Sequence, residues 1–172
     1  MVDDAISRRA KRVRLMALDV DGVLTDGSVY YSTQGEELKR FHIRDGMGIV
    51  MLMKAGVEVV IITREATEFP VRRAEKLGIK DVYTGVHDKK AIAEDLLSRH
   101  GIGYEEMCYV GDDINDLEIL EKAGLAVAVR DALPEVREAA HYVTERPGGN
   151  GAVREVCDLI LAARGIDVGS LL

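Results

Sequence analysis

The stretch Leu15-Met16-Ala17-Leu18-Asp19-Val20-Asp21-Gly22-Val23-Leu24-Thr25-Asp26-Gly27 is an apolar run that stops at two aspartates two residues apart, followed by a glycine. The run predicts a buried strand, over about residues 14–20. Side chains two apart on a strand share a face, so Asp19 and Asp21 aim at one point. Two carboxylates gathered at the end of a buried strand are costly unless positive charge compensates them, and a divalent cation does so most simply. Taken alone, the stretch also reads as a strand ending in a solvated acidic turn, because Asp and Gly are ordinary turn residues. The rest of the chain decides between these readings.

Downstream, strands and helices alternate. Residues 57–62 (Val-Glu-Val-Val-Ile-Ile) form a nearly continuous β-branched run, as expected of a central parallel strand buried on both faces. Further strands are predicted at 81–83, 107–110, 125–129 and 141–143. Helices are predicted at 45–55, 67–77, 89–99, 115–123, 133–140 and 153–164. Gly56, Gly78, Gly101 and Gly124 sit where such helices close, and Asp88 sits where the helix from Lys89 is capped. Residues 28–32 and 37–42 are two β-prone runs around a glycine-containing turn, which predicts a hairpin protruding from the alternation. Residues 146–151 (Arg-Pro-Gly-Gly-Asn-Gly) read as a mobile loop. The pattern implies an α/β fold, a doubly wound parallel sheet with a β-hairpin over 28–42. Residues 1–12 are expected to be a poorly ordered or peripheral lead-in, 13–164 a single domain, and 165–172 a tail.

Bulk properties narrow the function. The 172 residues suit one domain with a real core. There are 30 acidic and 23 basic residues, a net charge of −7, which disfavours duplex nucleic acid and anionic membrane surfaces as partners. No apolar run approaches the roughly 18 residues of a membrane span, and residues 1–14 lack a signal-length apolar segment. Cys108 and Cys157 lie in apolar patterns and lack metal-site spacing, which fits two small buried hydrophobes in a reducing cytoplasm.

In doubly wound sheets ligands bind beyond the carboxyl ends of the strands, and the informative residues fall there. Asp19 and Asp21 end the first strand, Thr63 ends the second, Lys89 follows the third, and Asp112 and Asp113 end the fourth. The aspartates offer hard oxygen ligands that suit Mg²⁺ with several waters retained. Thr63 offers a hydroxyl and an amide, and Lys89 a fixed positive charge. Such a set serves a phosphoryl group: metal and lysine neutralise its oxygens while a carboxylate attacks in line. A second aspartate protonates the leaving alcohol and then activates water.

The run Asp19-Val20-Asp21-Gly22-Val23-Leu24-Thr25, with Thr63, Lys89 and Gly111-Asp112-Asp113-Ile114-Asn115-Asp116, resembles in order and spacing the four motifs of the haloacid dehalogenase superfamily. The resemblance implies Asp19 as nucleophile and Asp21 as general acid/base, with the Asp21 carbonyl also on the metal. It implies Thr63 and Lys89 on the phosphoryl group, and Asp112 as a Mg²⁺ ligand supported by Asp113. Asp113 and Asp116 read equally well as carboxylates favoured at a helix N-terminus. Most relatives insert a cap domain after the first or second motif. Here only a hairpin, two helices, the central strand 57–62 and a short strand are expected between Asp21 and Lys89, so the chain looks like the capless branch typified by 3-deoxy-D-manno-octulosonate 8-phosphate (KDO 8-phosphate) phosphatase. Gly35-Glu36-Glu37-Leu38-Lys39, Phe41-His42-Ile43-Arg44-Asp45-Gly46 and Gly148-Gly149-Asn150-Gly151-Ala152-Val153-Arg154-Glu155 match that branch as well. In it, hairpins assemble a homotetramer in which a neighbouring subunit roofs each site.

The resemblance implies a sugar-acid phosphate as substrate, met by His42, Arg44, Asp45 and Gly46, with Arg44 and Arg154 suited to a carboxylate. One departure bears on its length. Octulosonate phosphatases usually read Thr-Gly-Arg after the second strand, whereas this chain reads Thr63-Arg64-Glu65. Glu65, with Arg72-Arg73-Ala74-Glu75-Lys76 downstream, looks like phosphatases for nine-carbon 2-keto-3-deoxy-nonulosonate 9-phosphates, in which Glu65, Arg73 and Lys76 would face the sugar acid. The same residues also suit solvated helix pairs. A reading from another class is a receiver-like phosphorylation switch, which also gathers Asp, Thr and Lys at strand ends. Receivers normally accept phosphate on a later strand, whereas here the Asp-x-Asp pair lies on the first and Asp21 supplies the acid that turnover needs.

Overall fold

A computed structural model describes residues 3–171. Met1 and Val2 of the lead-in and Leu172 of the tail lie outside the described residues. The chain opens with helix α1 (Asp4–Arg12), capped by the Asp3 side chain, which accepts from the Ala5 N–H. Strand β1 (Leu15–Leu18) follows. Next come the hairpin β2 (Tyr30–Ser32) and β3 (Gly35–Leu38), helix α2 (Ile43–Lys54) and β4 (Glu58–Ile62). Then come α3 (Phe69–Leu77), β5 (Asp81–Tyr83), α4 (Lys89–His100) and β6 (Met107–Gly111). The chain ends with α5 (Leu117–Leu120), β7 (Leu125–Ala128), α6 (Pro134–Ala139), β8 (Tyr142–Val143) and α7 (Ala152–Ala163).

Six strands form one parallel sheet in the order β5-β4-β1-β6-β7-β8. Leading away from β1, the chain builds outward to β5, then crosses to the other side at β6 and builds outward again. The order therefore reverses between β1 and β6, and the crevice beyond their carboxyl ends is where such sheets bind ligands. Every residue of β1, β6 and β7 is buried, which is why these strands read as apolar runs rather than alternating ones. Asp88 caps α4 through the Ala91 N–H, and Gly78 and Gly101, in the left-handed region, close α3 and α4.

Two expectations are corrected, the helix over 115–123 and the mobile loop 146–151, and both ends of the chain gain structure. Of the two readings of the lead-in, poorly ordered or peripheral, residues 4–12 take the second: α1 packs on α7 and buries Ala10 completely. Its apolar face, Ile6 and Ala10 at i, i+4, is too short among charged residues to stand out in the sequence. The helix expected over 115–123 is instead a 3-10 turn (Ile114–Asp116) followed by the short α5, because Asp113 turns its carboxylate back onto the Ile114 N–H. Beyond Gly165, Val168–Leu171 forms a further 3-10 turn.

The loop 146–151 is pinned rather than free. The Gly148 N–H donates to Asp131, and the Gly149 N–H donates to the Val23 carbonyl at 2.9 Å. A Cβ on Gly148 would stand 1.6 Å from the Gly22 carbonyl oxygen, so only glycine permits this approach. The hairpin, joined to the body at its base by the Thr25–Phe41 bridge, leaves Tyr31 70% and Leu38 62% exposed. Cys108 and Cys157 are free and buried, as expected. Among the described residues no helix is long and apolar enough to cross a membrane.

Candidate active site

Past β1 the backbone folds into a tight turn. The N–H groups of Val23, Leu24 and Thr25 all donate to the Val20 carbonyl, at 2.9–3.2 Å. Gly22 has φ +84°, and a Cβ there would lie 2.0 Å from Asp112 Oδ2. The glycine after the two aspartates thus lets the first and fourth strand ends close on each other. Asp19 and Asp21 line a cavity of about 380 Å³ with Thr63, Glu65, Asp112 and Asn115, and Arg64 and Asp113 stand at its exposed edge.

Lys89, at the start of α4, is buried below this cavity. Its Nζ lies 2.9 Å from Asp19 Oδ1 and 2.7 Å from Asp116 Oδ1. Asp116 has no solvent exposure, and its carboxylate also accepts from the Tyr109 hydroxyl at 2.6 Å and the Asp112 N–H at 2.9 Å. Thr63 is buried, and its Oγ1 accepts from the Glu65 N–H. The spacing of Gly111-Asp112-Asp113-Ile114-Asn115-Asp116 marked Asp116 without revealing this role, because its side-chain partners Lys89 and Tyr109 lie on two other segments.

Carboxylate oxygens of Asp19, Asp112 and Asp116 all lie within 4.8 Å of one another. Burial, then repulsion from Asp116, pushes the Asp19 carboxyl up to about 6 even with Lys89 opposing. Burial, then Asp19 and Asp116, pushes Asp112 up to about 8. For Lys89, burial pulls the ammonium down, but Asp19 and Asp116 outweigh it and the net shift is upward. One ammonium among three carboxylates leaves excess negative charge, and Asp112 Oδ1 is buried with no hydrogen-bond partner. A divalent cation fits that donor set and that charge. Asp113 does not join the cluster, since its exposed carboxylate is spent on the Ile114 N–H at 2.6 Å. Asp21 is not among the three clustered carboxylates; its own carboxylate is bound by Lys39.

Several residues singled out for substrate lie elsewhere. Asp45 is buried, and it accepts from the N–H groups of Gly151 and Arg154 at the start of α7, at 3.2 and 2.8 Å. His42 Nδ1 lies 3.8 Å from that carboxylate. Arg73 donates to the His42 carbonyl and stacks over Phe41, and Gly46 leaves room for it: a Cβ there would lie 2.4 Å from its guanidinium. His42, Asp45, Gly46 and Arg73 therefore form a packing network joining α2, α3 and α7, not a wall of the cavity. Arg44 lines a second cavity of about 430 Å³ with Arg146 and Arg154, and Lys76 is exposed on α3. Of the candidates downstream of Thr63, Arg64 and Glu65 are the ones on the catalytic cavity.

Comparison with known proteins agrees with this geometry. A family model described as haloacid dehalogenase-like hydrolase matches residues 71–156. The 3-deoxy-D-manno-octulosonate 8-phosphate phosphatase KdsC of Salmonella typhi is 46% identical over 164 residues, 95% of this chain and 87% of that protein. The crystal structure of the Yersinia pestis phosphatase of the same name superposes with a TM-score of 0.93 at 46% identity, covering 95% of this chain and 89% of that one. A Moraxella catarrhalis phosphatase of that name, solved with magnesium ion, phosphate ion and KDO, superposes with a TM-score of 0.92 at 38% identity, covering 95% and 94%. Fold, motif order and relatives agree: this chain belongs to the haloacid dehalogenase-like hydrolases, in the branch whose members carry the name 3-deoxy-D-manno-octulosonate 8-phosphate phosphatase.

Proposed function

We propose that this protein is a Mg²⁺-dependent phosphatase that hydrolyses the phosphate ester of a 3-deoxy-ulosonic acid of the KDO 8-phosphate type. The observation that carries the reading is the meeting of Asp19, Asp112, Asp116 and Lys89 at one cavity shared with Asp21 and Thr63. The Asp19 and Asp112 carboxylates and the Asp21 carbonyl would hold the magnesium, with Asp113 and Asp116 supporting the loop. When bound, the metal offsets the charge of the phosphoryl oxygens and of the carboxylates around it.

Asp19 attacks phosphorus, and Lys89 at 2.9 Å favours its ionised form and fixes its rotamer. The bond from phosphorus to the ester oxygen breaks, and Asp21 gives that oxygen its proton. Asp21 then takes a proton from water, whose oxygen attacks the aspartyl-phosphate and restores Asp19. Thr63, at the end of β4, faces the same cavity and holds the phosphoryl group.

Glu65 supports a second reading, a nine-carbon 2-keto-3-deoxy-nonulosonate 9-phosphate, since its carboxylate lines the cavity where an arginine is expected in the octulosonate branch. Measuring kcat/KM on the eight- and nine-carbon phosphates side by side, with and without EDTA, tests both. Preference for the eight-carbon ester with loss of activity in EDTA is expected, and metal-independent turnover would defeat the proposal. A receiver-like switch would instead accumulate phosphoprotein without releasing phosphate. Residues 13–164 act as one capless catalytic domain. The exposed Tyr30, Tyr31 and Leu38 of the hairpin support a homotetramer in which a neighbour covers the cavity. Sedimentation as a monomer would contradict that. The two reduced, buried cysteines suit a cytoplasmic setting.

A further inference from the structure

Lys39 follows β3 on the protruding hairpin, yet its side chain has no solvent exposure. It turns inward to the catalytic cavity. Its Nζ donates to both Asp21 oxygens at 2.9 Å, and lies 3.3 Å from Glu65 Oε2 and 3.6 Å from Glu36 Oε1. Burial pulls this ammonium down, but Asp21 and Glu65 outweigh it and the net shift is upward. Among the described residues the other side-chain hydrogen bond of the Asp21 carboxylate is from the Thr25 hydroxyl at 3.4 Å, at the edge of hydrogen-bonding distance. A donor reaching both oxygens of a carboxylate fixes its rotation, which a single long contact does not.

We infer that Lys39 is a positioning residue for leaving-group protonation, holding the Asp21 carboxyl in the orientation that delivers its proton to the ester oxygen. The inference rests on the assignment of Asp21 as general acid. An ammonium donates to a carboxylate and to the carbonyl oxygen of a carboxylic acid alike, so the contact persists as the proton comes and goes. The placement makes chemistry depend on the hairpin: a hairpin shifted from its seat carries Lys39 away and releases Asp21, while Asp19, Lys89 and the metal cluster stay in place.

The test compares two leaving groups. p-Nitrophenolate departs without a proton, whereas a sugar alkoxide needs one. The quantity read is kcat/KM, which covers steps through cleavage of the ester bond and excludes the later attack of water. For Lys39→Met, the ratio of kcat/KM on KDO 8-phosphate to that on p-nitrophenyl phosphate is expected to fall by about tenfold or more, since general acid catalysis carries at least that much. Lys39→Arg, whose fork also reaches two carboxylate oxygens, is expected to restore most of the ratio. Asp21→Asn is run in parallel. If it shifts the ratio and Lys39→Met lowers both substrates equally, Lys39 only braces the hairpin and the inference is overturned. If Asp21→Asn leaves the ratio unchanged, the acid assignment itself is wrong and the inference falls with it. Should Lys39→Met fail to fold by circular dichroism, Lys39→Gln carries the same comparison.

Discussion

Replacing Asp116 by alanine isolates the network beneath the cavity. The wild-type carboxylate is fully buried and accepts from Lys89 at 2.7 Å, Tyr109 at 2.6 Å, and the N–H groups of Asp112 and Asp113 at 2.9 and 3.3 Å. Removing one partner of a buried ion pair costs about 3–5 kcal/mol when the other charge is left alone. Lys89 keeps Asp19 at 2.9 Å, so the lower part of that range applies. The buried Tyr109 hydroxyl loses its acceptor, at about 1–3 kcal/mol. Opposing both, Asp116 no longer repels Asp19 and Asp112, whose carboxyls it helps to push up. The net expectation is a loss of about 3 kcal/mol, or roughly 6–12 °C in Tm for a domain of this size. Urea unfolding in EDTA, followed by circular dichroism, measures it without the metal's contribution. Asp116→Asn keeps the shape and part of the hydrogen bonding, and is expected to cost less than half as much. A loss below about 1 kcal/mol for Asp116→Ala would show that the network relaxes freely, and the reasoning would fail.

Further outcomes are expected at the nucleophile, at two glycines and with pH. Asp19→Asn should abolish turnover with the fold intact, and an activity loss under about tenfold would refute its role as nucleophile. Gly148→Ala, which drives a methyl into the Gly22 carbonyl at 1.6 Å, should lower kcat/KM by more than about tenfold. Gly56→Ala, with φ +80° but nothing within 4 Å, should cost about 1 kcal/mol of stability and leave kcat/KM unchanged. Without metal, the folded protein holds protons on Asp19 to about 6 and on Asp112 to about 8, above the ordinary 3.8. Raised folded pKa values stabilise fully below the unfolded value and lose that contribution as pH rises through the folded one. Magnesium must displace those protons to bind, so the Tm increment it gives should grow from pH 6 to pH 8 (the window between the two raised values). A constant increment would separate the cation from this cluster.

Much of this was legible in residues 15–27. An apolar run ending in Asp19 and Asp21 reads as a buried strand, with a solvated acidic turn left open until the other motifs are added, and the β-branched run before Thr63 reads as a central parallel strand. The continuous apolar runs that revealed these strands follow from burial, and the sheet buries all of both but Glu58. What stayed hidden depends on contacts far apart in the chain. Asp45 stands in the first turn of its own helix, where a carboxylate is favourable, but its partners are the N–H groups of α7, more than a hundred residues on. Lys39 read as one charge in an exposed hairpin, because nothing local shows its side chain turning inward. Arg73 and Gly46 read as substrate contacts until the arginine is seen filling the space a methyl on Gly46 would take. Helix α1 stayed hidden because its core-facing side is just Ile6 and Ala10, set among charged residues.

The contact of Gly148 and Gly149 with residues 22–25 has a consequence for biosynthesis. Every proposed catalytic side chain has been polymerised once Asp116 is added, yet the strut that braces the first turn comes some thirty residues later. A ribosome-tethered nascent chain, its last stretch still in the exit tunnel, would therefore carry all the chemistry and lack the buttress. Hydrolytic competence should appear abruptly once Gly148 and Gly149 leave the tunnel and dock, and not in proportion to the length translated.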